Sequence, residues 1–233
     1  MKQAIFQRAE QLLGSDNMER IAQQRVIIFG IGGVGSWCAE ALVRTGVRKL
    51  TIVDFDVVDV TNINRQLMAT TETVGQIKVD TLKKRLQTIN PEAEITAIQN
   101  TFCESTANTF DISSYDYIID AIDSLKDKAL LILMACQTKS RFYSSMGAAL
   151  KTDATRVCVD EFWKVKGDPL ARALRNHFKK EQHFPKRKFK CVYSDEPIQA
   201  QKDKSKGSLV QITAVFGMTL ASLLIQDICN HQT

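Results

Sequence analysis

An apolar run, Val26–Phe29, feeds straight into Gly30-x-Gly32-Gly33-x-Gly35, and small and apolar residues at helical spacing follow. A second apolar run ends on Asp54, 19 residues after the last glycine. Strand, glycine turn, helix and spaced carboxylate come in the order of a nucleotide-binding βαβ unit. Glycines let backbone N–H groups approach an anion, and the helix N-terminus adds the positive end of its dipole. Such turns also arise merely to let a helix lie close on a strand. Here the strand, the helix and the acid agree, which favours a bound nucleotide. Taken only this far the pattern favours NAD, because an acid at that position usually accepts the two ribose hydroxyls.

The residues that follow shift the reading. After Asp54-Phe55-Asp56 and a short polar turn comes Asn62-Ile63-Asn64-Arg65-Gln66, and then Gly75-Gln76-Ile77-Lys78-Val79-Asp80 opens a helix. Hydride transfer needs few cations near a diphosphate. Nucleotidyl transfer from ATP needs several, because charge builds on the departing pyrophosphate. Arg65 and Lys78 fall on the carboxyl side of the expected sheet, where such ligands sit. Singly each reads as a solvated surface charge; together, behind this turn, they read as triphosphate partners. A later strand, Tyr117–Ile119, leads into Asp120-Ala121-Ile122-Asp123-Ser124. Asp120 can simply end the strand and Asp123 can simply cap a helix. In an ATP site Asp123 is also placed to hold Mg²⁺ against the phosphates.

In this order GxGGxGS, DxD, NxNRQ, GxxKV and DAxD resemble the adenylating domain of the ubiquitin-activating superfamily, which includes bacterial molybdopterin- and thiamine-pathway activators. The resemblance spans nearly the whole chain. It implies attack of a carboxylate on ATP to form an acyl-adenylate, with ATP and Mg²⁺ as cofactors. The cofactor-contacting set is then Gly30, Gly32, Gly33, Gly35, Asp54, Asp56, Asn62, Arg65, Gln66, Lys78, Asp123 and Ser124. Arg65, Lys78 and Asp123 carry the catalytic roles, and Asp123 is the metal-linked carboxylate. The resemblance further implies a homodimer in which an N-terminal arginine, here Arg8, reaches a neighbouring site. It also raises a sulfur-transfer protein partner, for which no residue here argues.

Alternating strands and helices predict an α/β fold: a Rossmann-like, doubly wound, mostly parallel sheet with helices on both faces. The expected strands are 26–30, 49–54, 94–98, 117–120 and 142–146, with helices over 34–45, 76–89 and 126–139 and a short one near 105–110. Residues 1–150 are expected to form the ATP-binding domain, N-terminal helices included. Residues 151–233 form a C-terminal basic and helical appendage, with a strand over 156–159 and a helix from Asp168-Pro169 to Lys180. Its last helix, within Leu209–Cys229, approaches membrane length. Gln211, Thr213, Thr219, Ser222, Gln226 and Asp227 interrupt the run, so it reads as a helix packed back on the core and no stable membrane insertion is expected. No N-terminal signal pattern is evident, which makes the cytoplasm the default. Six scattered cysteines form no CxxC pair, so neither structural zinc nor disulfides are expected.

Charge is uneven along the chain. Residues 151–206 hold fifteen Lys or Arg against eight Asp or Glu, although the whole chain is only +5. The densest part runs Lys179-Lys180 through Lys186-Arg187-Lys188-Phe189-Lys190, with Phe184 and Phe189 interleaved, and Lys202, Lys204 and Lys206 follow. Such a run is ordinarily a solvated face. Attached to an ATP-using core, its cations and rings suit looped RNA, making Lys179, Lys180, Lys186, Arg187, Lys188 and Lys190 the nucleic-acid candidates. Within the superfamily, Asp120–Ser124, Gly167-Asp168-Pro169-Leu170, Cys191-Val192-Tyr193-Ser194 and Gly207-Ser208 resemble the branch that dehydrates threonylcarbamoyladenosine in tRNA. That branch cyclises its substrate through an acyl-adenylate, and an internal nucleophile needs no enzyme thiol. Adenylation of the C-terminal glycine of a ubiquitin-like sulfur-carrier protein, and an NAD-dependent dehydrogenase, stay open as alternatives.

Overall fold

The computed structural model describes residues 4–197 and 207–230; Lys202, Lys204 and Lys206 lie outside the described residues. Seven strands form one sheet: β1 (Arg25–Phe29), β2 (Lys49–Val53), β3 (Glu94–Ile98), β4 (Tyr117–Asp120), β5 (Arg141–Ser145), β6 (Val157–Glu161) and β7 (Lys190–Ser194). Their order is β3-β2-β1-β4-β5-β7-β6. Every neighbouring pair is parallel except β6 with β7. From β1 the chain winds outward through β2 and β3, then returns to the other side of β1 with β4. The reversal leaves a crevice between the carboxyl ends of β1 and β4, where ligands of open α/β sheets bind.

Both faces of the sheet are covered, which explains the unbroken apolar run of β1. Val26 and Ile28 point into one cluster with Leu42, Leu82 and Phe216, while Ile27 and Phe29 point into the other with Ile132, Leu174 and Phe178. The first face therefore carries α3 (Gly35–Arg44), α4 (Lys78–Ile89) and α7 (Val210–Asn230), and the second carries α5 (Leu125–Ala135) and α6 (Pro169–Lys180). Two short N-terminal helices, α1 (Gln7–Leu13) and α2 (Ser15–Gln23), precede β1.

Two expectations need correction. Residues after 150 do not stand apart as an appendage, because β7 inserts between β5 and β6 and completes the same sheet. The alternation hides in the basic tract: Lys186, Lys188 and Lys190 are exposed, whereas Phe189 and Cys191 are buried. A basic loop in sequence is thus a period-two approach to a strand. The expected short helix near 105–110 is only a 3₁₀ turn, Ala107–Thr109.

Helix α7 is long and apolar enough to cross a membrane. Here it lies along α3, burying Ile212, Phe216, Leu220, Leu224 and Ile228. Gly217 permits the close approach, since a Cβ there would come within 2.4 Å of the Val34 carbonyl and 2.8 Å of the Cys38 amide nitrogen.

Candidate functional site

The crevice at the sheet reversal opens into a cavity of about 980 Å³. One wall is the turn after β1. Gly30 has φ +81°, and a Cβ on it would lie 2.7 Å from the Ala121 carbonyl oxygen. Gly35 does not line the cavity: a Cβ there would sit 1.9 Å from the Gly30 carbonyl oxygen, so it serves the contact between α3 and the turn. Gly30, Gly32 and Gly33 do line the cavity, with the N-terminal end of α3 behind them.

Asp54 follows β2 and ties this wall together. Its Oδ2 accepts from the Ile31 amide at 2.9 Å and its Oδ1 from the Asp56 amide at 3.0 Å. A carboxylate has about four acceptor sites, so capacity remains for ribose hydroxyls. Asn62, Arg65 and Gln66 project from the next loop, whose 3₁₀ turn is closed by Asp59 and Asn62 in a reciprocal capping box. Ser36, which sequence reasoning missed, joins loop and turn. Its hydroxyl donates to the Gly32 carbonyl at 2.6 Å and accepts from the Leu67 amide at 3.2 Å. Trp37 Nε1 adds a bond to the Arg65 carbonyl at 3.1 Å.

Lys78 opens α4. It is buried, and its Nζ donates to Asp56 Oδ2 at 2.7 Å. Both residues line the cavity, as do Asp123 and Ser124 from the β4–α5 connection. Gln66 Oε1 is buried without a hydrogen-bond partner among the described residues. An unpaired buried acceptor costs about 1–3 kcal/mol, and a donor on a molecule in the cavity would remove that cost. Oxygen donors suit Mg²⁺, which takes one or two carboxylates plus phosphate oxygens and does not need a dedicated protein cage. Among the described residues no group of three or more His, Cys, Asp or Glu could form such a cage. Asp123 with a triphosphate fits the ion.

The far wall was not legible beforehand. It comprises Ser145–Lys151 at and beyond the end of β5, Pro169, Leu170 and Ala173 at the start of α6, and Ser208 and Thr213 at the start of α7. Asp168 anchors it from a buried position, accepting from the Ala171 amide at 2.7 Å and the Gly147 amide at 3.1 Å. Burial holds its carboxyl above the usual range against those bonds. Beneath the floor lies a second unanticipated group. Lys128 and Asp120 are both fully buried and paired at 2.7 Å. Removing one member of such a pair costs about 3–5 kcal/mol.

Three of the remaining candidates sit elsewhere. Arg8 is exposed on α1 and does not line the cavity. Phe189 is buried against Phe142 and Phe162, so it cannot stack on a base. Arg187 turns inward, its Nη2 donating to the Ala135 carbonyl at 3.1 Å and to the Ser140 carbonyl. Its guanidinium is therefore committed to the end of α5. Lys190 begins β7 opposite Glu161 and Tyr143 and stays exposed. Lys179, Lys180, Lys186 and Lys188 are exposed together with Phe184. Among the thiols, burial pushes Cys38, Cys136 and Cys191 up. Cys103, off the cavity, is brought down to about 7 by hydrogen bonds from Ser105 and Thr106.

Comparison with known proteins agrees with this arrangement. The tRNA threonylcarbamoyladenosine dehydratase of Bacillus subtilis is 41% identical over 202 residues, covering 86% of this chain and 79% of that protein. The Haemophilus influenzae protein of the same name is 35% identical, covering 94% and 90%. The crystal structure of Escherichia coli tRNA N6-threonylcarbamoyladenosine dehydratase in complex with ATP superposes with a TM-score of 0.91 at 32% identity, over 98% of this chain and 95% of that one. The ThiF family matches residues 6–233, from the N-terminal helices onward. With relatives this similar over this much of its length, the chain belongs to the ThiF family.

Proposed function

We propose that this protein is an ATP-dependent tRNA threonylcarbamoyladenosine dehydratase. The observation that carries the reading is the convergence of Gly32, Gly33, Asn62, Arg65, Gln66, Lys78 and Asp123 on one cavity. It is supported by full-length likeness to a dehydratase whose structure holds ATP. The glycine turn and the start of α3 receive the phosphates, and Asp54 receives the ribose. The threonyl carboxylate of the modified nucleoside attacks the α-phosphorus, and pyrophosphate leaves. A nucleophile within the same modification then attacks the activated carbonyl and expels AMP, which carries away the carboxylate oxygen. The net change is loss of one water from the nucleoside as the ring closes.

Charge develops on the leaving pyrophosphate, and Arg65 and Lys78 stand where they can neutralise it. Asp123 is the carboxylate that would hold Mg²⁺, whose charge offsets that of the triphosphate. Holding the substrate's own nucleophile beside the acyl-adenylate supplies a high effective concentration. The scattered cysteines are therefore not needed as acceptors. The reading further assigns the protein to the cytoplasm as a homodimer, with Arg8 contributed from a second copy.

Incubation with ATP, Mg²⁺ and tRNA carrying threonylcarbamoyladenosine is expected to remove one water from the nucleoside, read by mass spectrometry, with stoichiometric AMP. An unchanged nucleoside alongside adenylation of a ubiquitin-like carrier protein would replace this reading with carrier activation. The exposed lysines define the tRNA side. Changing Lys179, Lys180, Lys186 and Lys188 together to Gln is expected to weaken tRNA binding and flatten the log–log salt dependence by about 3. An unchanged slope would remove this surface from the interface.

A further inference from the structure

Three buried polar side chains under the cavity floor take no part in the chemistry above. They are Asp120 at the end of β4, Ser144 on β5 and Lys128 on α5, all fully inaccessible. Lys128 Nζ donates to Asp120 Oδ2 at 2.7 Å and to the Ile122 carbonyl at 2.7 Å. Ser144 Oγ donates to the same Asp120 oxygen at 2.6 Å, while Asp120 Oδ1 accepts from the Ile122 amide at 3.0 Å. Both peptide groups of Ile122 are thereby held by one ion pair. Its neighbours matter: the Ala121 carbonyl lies against Gly30, and Asp123 lines the cavity.

Stability alone does not account for the pair. Two charges taken out of water are costly, and well-packed apolar residues of like volume are often at least as stable. What an apolar pair lacks is a grip on the backbone. The connection from residue 121 to 124 belongs to no strand or helix, and Ser124 makes no side-chain cap bond at the start of α5. Its ends are held by the backbone, Ala121 N–H donating to the Phe29 carbonyl at 2.8 Å and Lys128 N–H to the Ser124 carbonyl at 3.0 Å; between them, the bonds to Ile122 fix the middle of the stretch.

We propose that Lys128 is a positioning residue for the bound nucleotide, acting through Ile122 to preorganise the segment from Ala121 to Asp123. It rests on the nucleotide reading of the cavity. Lys128 reaches neither nucleotide nor tRNA. Its loss lets the Asp123 wall drift, and a displacement near 1 Å can cost about a hundredfold.

The test uses the full-length protein and two variants, Lys128→Met and Lys128→Met combined with Asp120→Asn. The second removes both charges and leaves no buried ion unpaired. The readouts are ATP–Mg²⁺-induced thermal protection, the KM for ATP, kcat, and affinity for modified tRNA. Both variants are expected to lose most of the ATP protection and to show an ATP KM raised about tenfold or more, with tRNA affinity unchanged. A merely structural lysine would lower the midpoint without ATP and leave the ATP shift and KM at wild-type values; that result overturns the proposal. So does failure of both variants to fold. Absence of ATP protection in the wild type would instead overturn the nucleotide reading.

Discussion

Asp123→Ala is expected to abolish turnover while leaving the fold intact. Asp123 is exposed at the cavity wall, and among the described residues it makes no hydrogen bond or ion pair. Its removal takes nothing from the core, and surface changes of this kind stay within about 0.5 kcal/mol. For a chain of this length that is a shift in midpoint of about 2 °C at most. The chemical effect is of another order. In the proposed reading this carboxylate would hold Mg²⁺, and without it the triphosphate would lose its most concentrated counter-charge. AMP formation with modified tRNA is the measurement, with Asp123→Asn as the isosteric companion. Turnover of Asp123→Ala within tenfold of wild type would strip this residue of the metal role. A midpoint lowered by many degrees would show that it supports the fold.

The parts of this site that were legible in sequence are those built from neighbours along the chain. β1, the glycine turn, α3 and β2 form one uninterrupted unit, so the spacing of Gly30 to Gly35 and Asp54 carries its geometry. Asn62, Arg65 and Gln66 come in the loop directly after it. The far wall is different. Gly147, Pro169 and Ser208 lie far apart in sequence, and only the parallel packing of β5 beside β7 and the placement of α7 on α3 bring them to one cavity. Local propensity has no access to such pairings.

One misreading and one omission have specific causes. In Lys186-Arg187-Lys188-Phe189-Lys190 high charge masked a period of two, so an inward face of Arg187 and Phe189 passed for an RNA-binding one. The exposed lysines of the tract survive that correction because they occupy the opposite face. Lys128, in the first turn of α5, belongs to no motif that sets it apart in the sequence. Only the fold shows that it meets Asp120 at the carboxyl end of β4, where Ser144 donates to the same carboxylate oxygen. A lysine just ahead of the apolar run Ala129–Ala135 was the available signal, since burial of that helix leaves the lysine little access to water.

Lys78→Ala is expected to slow adenylation by about 10²–10³-fold, the usual cost of removing one charge-stabilising group from such a site. The structure adds a reason for the upper end. Lys78 Nζ is bonded to Asp56, and both line the cavity. Deleting the lysine removes a cation and also frees an anion beside the triphosphate. Two unit charges 4 Å apart interact by about 4 kcal/mol at an effective dielectric of 20, so the orphaned carboxylate opposes ATP binding as well as pyrophosphate departure. The two effects separate in a double variant. Lys78→Ala with Asp56→Asn keeps the loss of the cation but removes the repulsion, and is expected to recover about tenfold relative to Lys78→Ala alone. Recovery in the ATP KM, with kcat still depressed, would assign Asp56 to holding the lysine and the lysine to the transition state. Equal rates for single and double variants would mean that Asp56 lies too far from the phosphates to be felt. Near-normal adenylation by Lys78→Ala would remove Lys78 from the chemistry and leave Arg65 as the cation serving the leaving group.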